Sequence, residues 1–190
     1  LAQPKTKPIT PASGGTIEEV TSASGLATTG TRLTIPPSAF GSDNSAGDVQ
    51  IQETTARKTS TALPLGGKAK EFKAKNSSGN AITTFNSDVV IEMSYTPTEL
   101  AETRSSSDSS INTKAEVDTL KMAYYDETAT NWVTLPSTIT YKSATGTVLS
   151  TPAPDLSNVS SVTVAASTNH FSTFAPIVST DPNAPATPTG

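Results

Sequence analysis

The sequence predicts an all-β protein, an antiparallel β-sandwich of about ten short strands. Three observations carry that expectation. The 190 residues include 33 Thr and 25 Ser; Thr and Val favour strands, whereas Ser, Gly, Pro and Asn favour turns. Amphipathic runs of Ala, Leu, Glu, Lys and Arg that would make long helices are almost missing. Short apolar-alternating runs recur instead, separated by turn residues.

The elements follow in order. Residues 16–20 and 31–35 form the first strands, the second stopped by Pro36 and Pro37. Residues 48–53 (DVQIQE) alternate, with Val49 and Ile51 on one face. Residues 69–75 (AKEFKAK) alternate charged and apolar positions before a turn at Ser77–Gly79. Residues 88–95 (DVVIEMSY) give the strongest strand, with Val90 expected to be covered on both faces. Residues 120–125 and 131–135 form a hairpin around Asp126, Glu127 and Thr128. Residues 138–142, 145–149, 161–166 and 171–178 complete the set. Residues 97–118 break the pattern: Thr98 is placed to cap one helical turn beginning near Glu99, and Ser105–Ser110 reads as a surface loop, either a binding loop or, the favoured reading, a tolerated insertion.

Composition excludes several functions. With no Cys and one His, His170, the chain lacks thiolate metal sites, iron–sulfur clusters and multi-histidine centres, and no cofactor or metal is expected. A net charge of -4 argues against a nucleic-acid partner. No apolar run approaches the ~18 residues of a membrane-spanning helix, so direct membrane insertion is not expected.

Pro-rich segments flank the strands. Residues 1–13 carry Pro4, Pro8 and Pro11; residues 179–190 carry Pro182, Pro185 and Pro188. Both read as extended Pro/Thr linkers around one domain at 14–178, a bead of a larger polypeptide. The chain begins at Leu1 rather than Met, so an upstream segment is expected. Neighbouring domains of the same polypeptide are then the first partners. Low charge, abundant Ser/Thr and no Cys are a composition similar to bacterial surface and secreted modules, which sets the expected location outside the cell.

The tripeptide His170-Phe171-Ser172 is the one constellation with defined chemistry. A serine hydroxyl can attack the carbonyl before it, shifting the acyl group from N to O, and water then cleaves the ester. Serine needs help with its proton, and a histidine two residues upstream can supply it. Backbone strain at the scissile bond would lower the barrier. In one continuous strand His170 and Ser172 would share a face. The bland reading is a strand in which Phe171 and Phe174 pack and His170 bonds a neighbour.

The chain also resembles the ZU-five family, a β-sandwich of ankyrins, netrin receptors and the death-domain protein PIDD, with relatives in bacterial surface proteins. Leu33-Thr34-Ile35-Pro36-Pro37-Ser38-Ala39-Phe40 is similar to the family's L-x-I-P-x-G-A turn, with Ser38 where Gly is usual. Phe85 and Val89 to Tyr95 resemble its long strand, with Asp88 where Pro is usual. Residues 120–127 with Trp132-Val133 resemble its Y-x-D-E…W hairpin, and residues 170–175 its closing strand in bacterial members. The resemblance covers about residues 14–178. It implies a ZU-five-like sandwich. Some members cut themselves between Phe and Ser of this tripeptide, and the nucleoporin autoproteolytic domain uses the same tripeptide on another fold. Here the cut would fall at Phe171–Ser172, with Ser172 as nucleophile and His170 as proton carrier.

Other sites are thinner. Asp43, Asn44 and Asp48 offer oxygens to calcium but lack EF-hand spacing, and an Asx-turn loop suffices. Lys68, Lys70, Lys73 and Lys75 read as a solvated basic face. A Lys–Asn isopeptide involving Lys121 or Asn131 is compatible with a Cys-free surface sandwich. Asn76 and Asn158 head glycosylation sequons. Three functions follow: a structural, adhesion or display module; a self-cleaving domain with single turnover rather than a turnover enzyme; or a module binding a cell-surface protein or glycan. The third is limited by ten aromatics, mostly in expected core strands.

Overall fold

The computed structural model describes residues 3–10, 12–24, 27–40, 47–55, 59, 62–65, 68–102 and 111–179. Two antiparallel sheets face each other as an all-β sandwich. The seven-stranded sheet contains β1 (Lys5–Ile9), β4 (Gly47–Thr55), β6 (Lys68–Lys75), β12 (Thr173–Ser179), β8 (Lys121–Asp126) and β9 (Asn131–Thr134), in that order, with β5 (Ala62–Pro64) added along β12. The five-stranded sheet runs β10 (Ser137–Lys142), β11 (Ser161–His170), β7 (Thr84–Tyr95), β3 (Ala27–Ile35), β2 (Gly15–Ser24).

Alternation places the core as expected. Val49 and Ile51 of β4 and Val89, Ile91 and Met93 of β7 turn inward and are buried. Opposite them sit Phe72, Phe174, Leu33, Val162 and Val164, joining both sheets in one cluster. Val90 is half-buried on the outer face, between Thr34 and Ser167. A second cluster lies outside the seven-stranded sheet, where Tyr125 and Trp132 meet edge-on at 5.5 Å over Ala69, Ala123, Ala175 and Ile177.

Several expectations are corrected. Lys5–Ile9, read as linker, is an edge strand paired with β4, and Ile9 is buried. Pro8 is tolerated there because an edge strand leaves one side of its backbone unpaired. Residues 145–149 are a turn around Gly146 (φ 77°) that returns to the sheet through one bridge, Lys142 to Val148. The helical turn is α1 (Pro97–Glu102), two residues earlier than expected. Thr96, not Thr98, caps it: Thr96 Oγ1 accepts from Glu99 N–H at 3.1 Å, and Glu99 Oε2 accepts from Thr96 N–H at 2.7 Å. A second short helix, α2 (Lys114–Val117), has the same reciprocal cap between Thr113 and Glu116. The Ser105–Ser110 loop, the Asp43–Asn44 loop and residues 180–190 lie outside the described residues.

Sheet direction fixes where the chain enters and leaves. β1, β4, β6 and β12 are successive antiparallel neighbours, so β1 and β12 run oppositely. The lead into β1 and the lead out of β12 therefore lie toward the same pole. The turn at Thr10–Gly14, the Asn76–Asn80 turn, the β8–β9 tip and the β11–β12 junction lie at the other pole.

Candidate functional site

The strand expected over 171–178 starts two residues later, at Thr173. β11 continues to His170 in one sheet, Phe171 and Ser172 turn a corner, and β12 starts at Thr173 in the other sheet. A register shift between Thr168 and His170 loosens the ladder just before the corner. The Thr168 hydroxyl folds over it, accepting from His170 N–H at 3.4 Å and donating to the His170 carbonyl at 3.2 Å.

Each residue of the tripeptide has its own environment. The His170 ring stands edge-on to Tyr124 at 4.6 Å and lies 6.2 Å from the Phe174 ring. Phe171 closes the end of the core against Phe85 at 4.6 Å and Phe72 at 5.9 Å. Ser172 Oγ–H donates to the Tyr125 carbonyl at 3.0 Å, and the Ser172 carbonyl accepts from Phe72 N–H at 3.0 Å. Among the described residues no hydrogen bond joins the His170 imidazole to Ser172 Oγ. Strand alternation does not relate the two side chains, because His170 ends β11 and Ser172 lies in the corner that follows it. The corner is also turned without a left-handed residue. The described non-glycine residues with positive φ are Ser38 (61°), Thr130 (51°) and Leu156 (60°).

Of the basic residues on β6, Lys70 does not belong to a solvated face. It points inward with Phe72 and is 8% exposed. Its ammonium donates to Glu19 on β2 and, at 3.2 Å, to Glu53 Oε2 on β4, joining the two sheets. Sequence held a signal for this cluster. Glu19 is in phase with Ile17, Glu53 with Ile51, and Lys70 with Phe72, so each charge shares a face with a core residue. Lys121 and Asn131 do not meet: both are exposed, and their partners Ile177 and Asp126 place them toward opposite ends of the β8–β9 hairpin. Asn76 is spent on an Asx turn, its Oδ1 accepting from Ser78 and Asn80 N–H.

At the opposite pole Asp118 ties α2 to β10. It accepts from Tyr141 Oη at 2.6 Å and from Lys114 Nζ at 2.5 Å. Burial pushes its carboxyl up, but the Lys114 and Tyr141 hydrogen bonds and the Lys114 charge outweigh it and hold the group below the usual carboxylate range. Burial first, then Asp118, pushes the Tyr141 phenol far up.

The outer aromatic pair opens a shallow groove lined by Tyr125, Trp132, Glu71, Glu127 and Thr173. Trp132 is only 6% exposed, so the groove offers little aromatic surface. Among the described residues no three His, Asp or Glu side chains gather as a metal site. No family model matches the chain, and no curated protein or solved structure matches it.

Proposed function

We propose that the chain is a ZU-five-like display module of a larger bacterial cell-surface protein, holding one pole outward for a protein or glycan partner. The observation that carries this reading is the polarity of β1 and β12. With both leads at one pole, the sandwich hangs from its polypeptide instead of lengthening it, and its far pole faces away. The family likeness gains support at Ser38. The backbone there is left-handed at φ 61°, the conformation glycine adopts without steric cost, and glycine is what the family carries at that place. Small-angle scattering on the domain fused at both ends to rigid reference domains tests the display geometry. Side-by-side references support it; a collinear arrangement overturns it.

A second reading is self-cleavage at Phe171–Ser172, favoured by one observation: this peptide bond lies in the corner between β11 and β12, belonging to neither strand. Ser172 Oγ would turn from the Tyr125 carbonyl onto the Phe171 carbonyl carbon, and His170 would carry the proton. Cleavage would not release β12, an interior strand paired with β8 on one side and with β6 and β5 on the other, with Phe174 and Ala175 fully buried. The product is a nicked, folded domain. Intact mass under denaturing conditions decides: two fragments meeting at 171/172, abolished by Ser172→Ala, support cleavage; a single full-length species after prolonged incubation excludes it.

A further inference from the structure

The Lys70–Glu19–Glu53 cluster is more enclosed than an ordinary surface ion pair. Side-chain exposure is 10% for Lys70, 15% for Glu19 and 13% for Glu53. Its members come from three strands: β6 and β4 are neighbours in one sheet, with Lys70 directly opposite Glu53, and β2 belongs to the other sheet. One amine thus sits between two carboxyl groups, one across the sandwich and one beside it. As a mere ion pair the arrangement gains little, because desolvating three charges offsets much of their attraction.

We infer that Lys70 and Glu19 form an intramolecular isopeptide crosslink between the two sheets, with Glu53 as proton carrier. Lys70 Nζ attacks Glu19 Cδ. The new bond is N–C, the bond broken is one C–O of the Glu19 carboxyl, and the leaving group is water. Glu53 takes the two protons that the Lys70 nitrogen loses, one after the other, and passes both to the departing oxygen, which leaves as water. An ammonium and a carboxylate become an amide and one water, with no other reactant. Three features favour the step. The amine already touches the carboxyl that it attacks, so no approach entropy remains to be lost. A second carboxyl stands within hydrogen-bond reach of the same nitrogen. The enclosure between the sheets limits the water that would reverse the reaction. The bond would close a loop between residues 51 apart in a chain without cysteine.

Intact mass of the purified, folded chain reads the crosslink. The expected value is one water below the mass calculated from the sequence, with a Lys70-bearing peptide joined to a Glu19-bearing peptide after proteolysis. Lys70→Met and Glu19→Ala each restore the calculated mass. Glu53→Gln slows the loss of water about a hundredfold or more, the usual weight of a positioned proton carrier. A wild-type mass equal to the calculated one after prolonged incubation overturns the inference. So does a water deficit that persists in Lys70→Met.

Discussion

At one edge of the sandwich the chain leaves β1 and enters β2 through Thr10–Gly14; near its middle it leaves β11 and enters β12 through Phe171–Ser172. Both segments carry the backbone from one sheet to the other, and they do so with different materials. The edge crossing is made of backbone. Ser13 and Gly14 N–H both bond to the Thr10 carbonyl, Gly14 holds φ 65°, and a Cβ there would stand 2.2 Å from the Ile35 carbonyl oxygen. The one buried side chain of β1 is Ile9. The central crossing is made of side chains: a hydroxyl folds the register shift, a second hydroxyl ties the corner to Tyr125, and Phe171 plugs the core. A crossing at an edge is limited by how tightly the chain can bend. A crossing between interior strands is limited by what fills the space it leaves.

That contrast predicts which substitutions each crossing fails to tolerate. The largest effect belongs to the centre. Phe174→Ala, at a fully buried ring beside the corner, should cost about 3–5 kcal/mol in denaturant unfolding. A loss under about 1 kcal/mol would mean that the centre does not rest on ring packing. Next is the edge: Gly14→Ala should cost about 2–3 kcal/mol, from a strained φ and a backbone clash. Gly79, also at positive φ but with open space around its Cβ position, is the internal control and should lose less on the same change. If the two melt alike, close approach is not what makes Gly14 special.

Ser172→Ala removes the hydroxyl that ties the corner and should cost about 1 kcal/mol, leaving the Tyr125 carbonyl without that donor. Ser38→Gly, in the turn that follows Ile35 and Pro36 beside the edge crossing, should stabilise by about 0.5–1 kcal/mol; a lowered melting temperature would show that Ser38 earns its place by contacts rather than enduring its φ. The smallest effect touches neither crossing. Asp118 keeps its charge to lower pH in the folded chain than in the unfolded one. Its contribution is therefore complete above the unfolded carboxyl's range and is lost as pH falls through the folded value. Acid should loosen α2 from β10 first, seen as hydrogen exchange rising at Val117 and Asp118 before residues 170–174, and Asp118→Asn should flatten that dependence.

The legible parts of the fold were those where two faces of one strand meet different surroundings. Residues 48–53 and 88–95 could be read because one face meets the core and the other does not. β1 escaped because Pro4 and Pro8 suggest an unpaired chain, and sequence does not say that an edge strand has a side to spare for proline. α2 spans four residues, too few for a helical period, and only the Thr113–Glu116 spacing announced it. At the candidate site the residues could be named and their mutual geometry could not. Phe171 and Phe174 are both drawn to the core, which conceals that a corner separates them. The inward turn of Lys70 was written in its phase with Phe72, but a lysine among Lys68, Glu71, Lys73 and Lys75 reads as solvent-facing until the opposing sheet supplies Glu19.

The shared pole of the two leads also has a mechanical meaning. Tension between them acts across the strands, not along them. Antiparallel ladder bonds are themselves perpendicular to the strands, so the load falls lengthwise on the β1–β4 bonds and meets them in succession from Lys5 toward Ile9. Under pulling through its ends the domain should open like a zipper, at low force and from β1 inward, while β12 stays gripped on both sides.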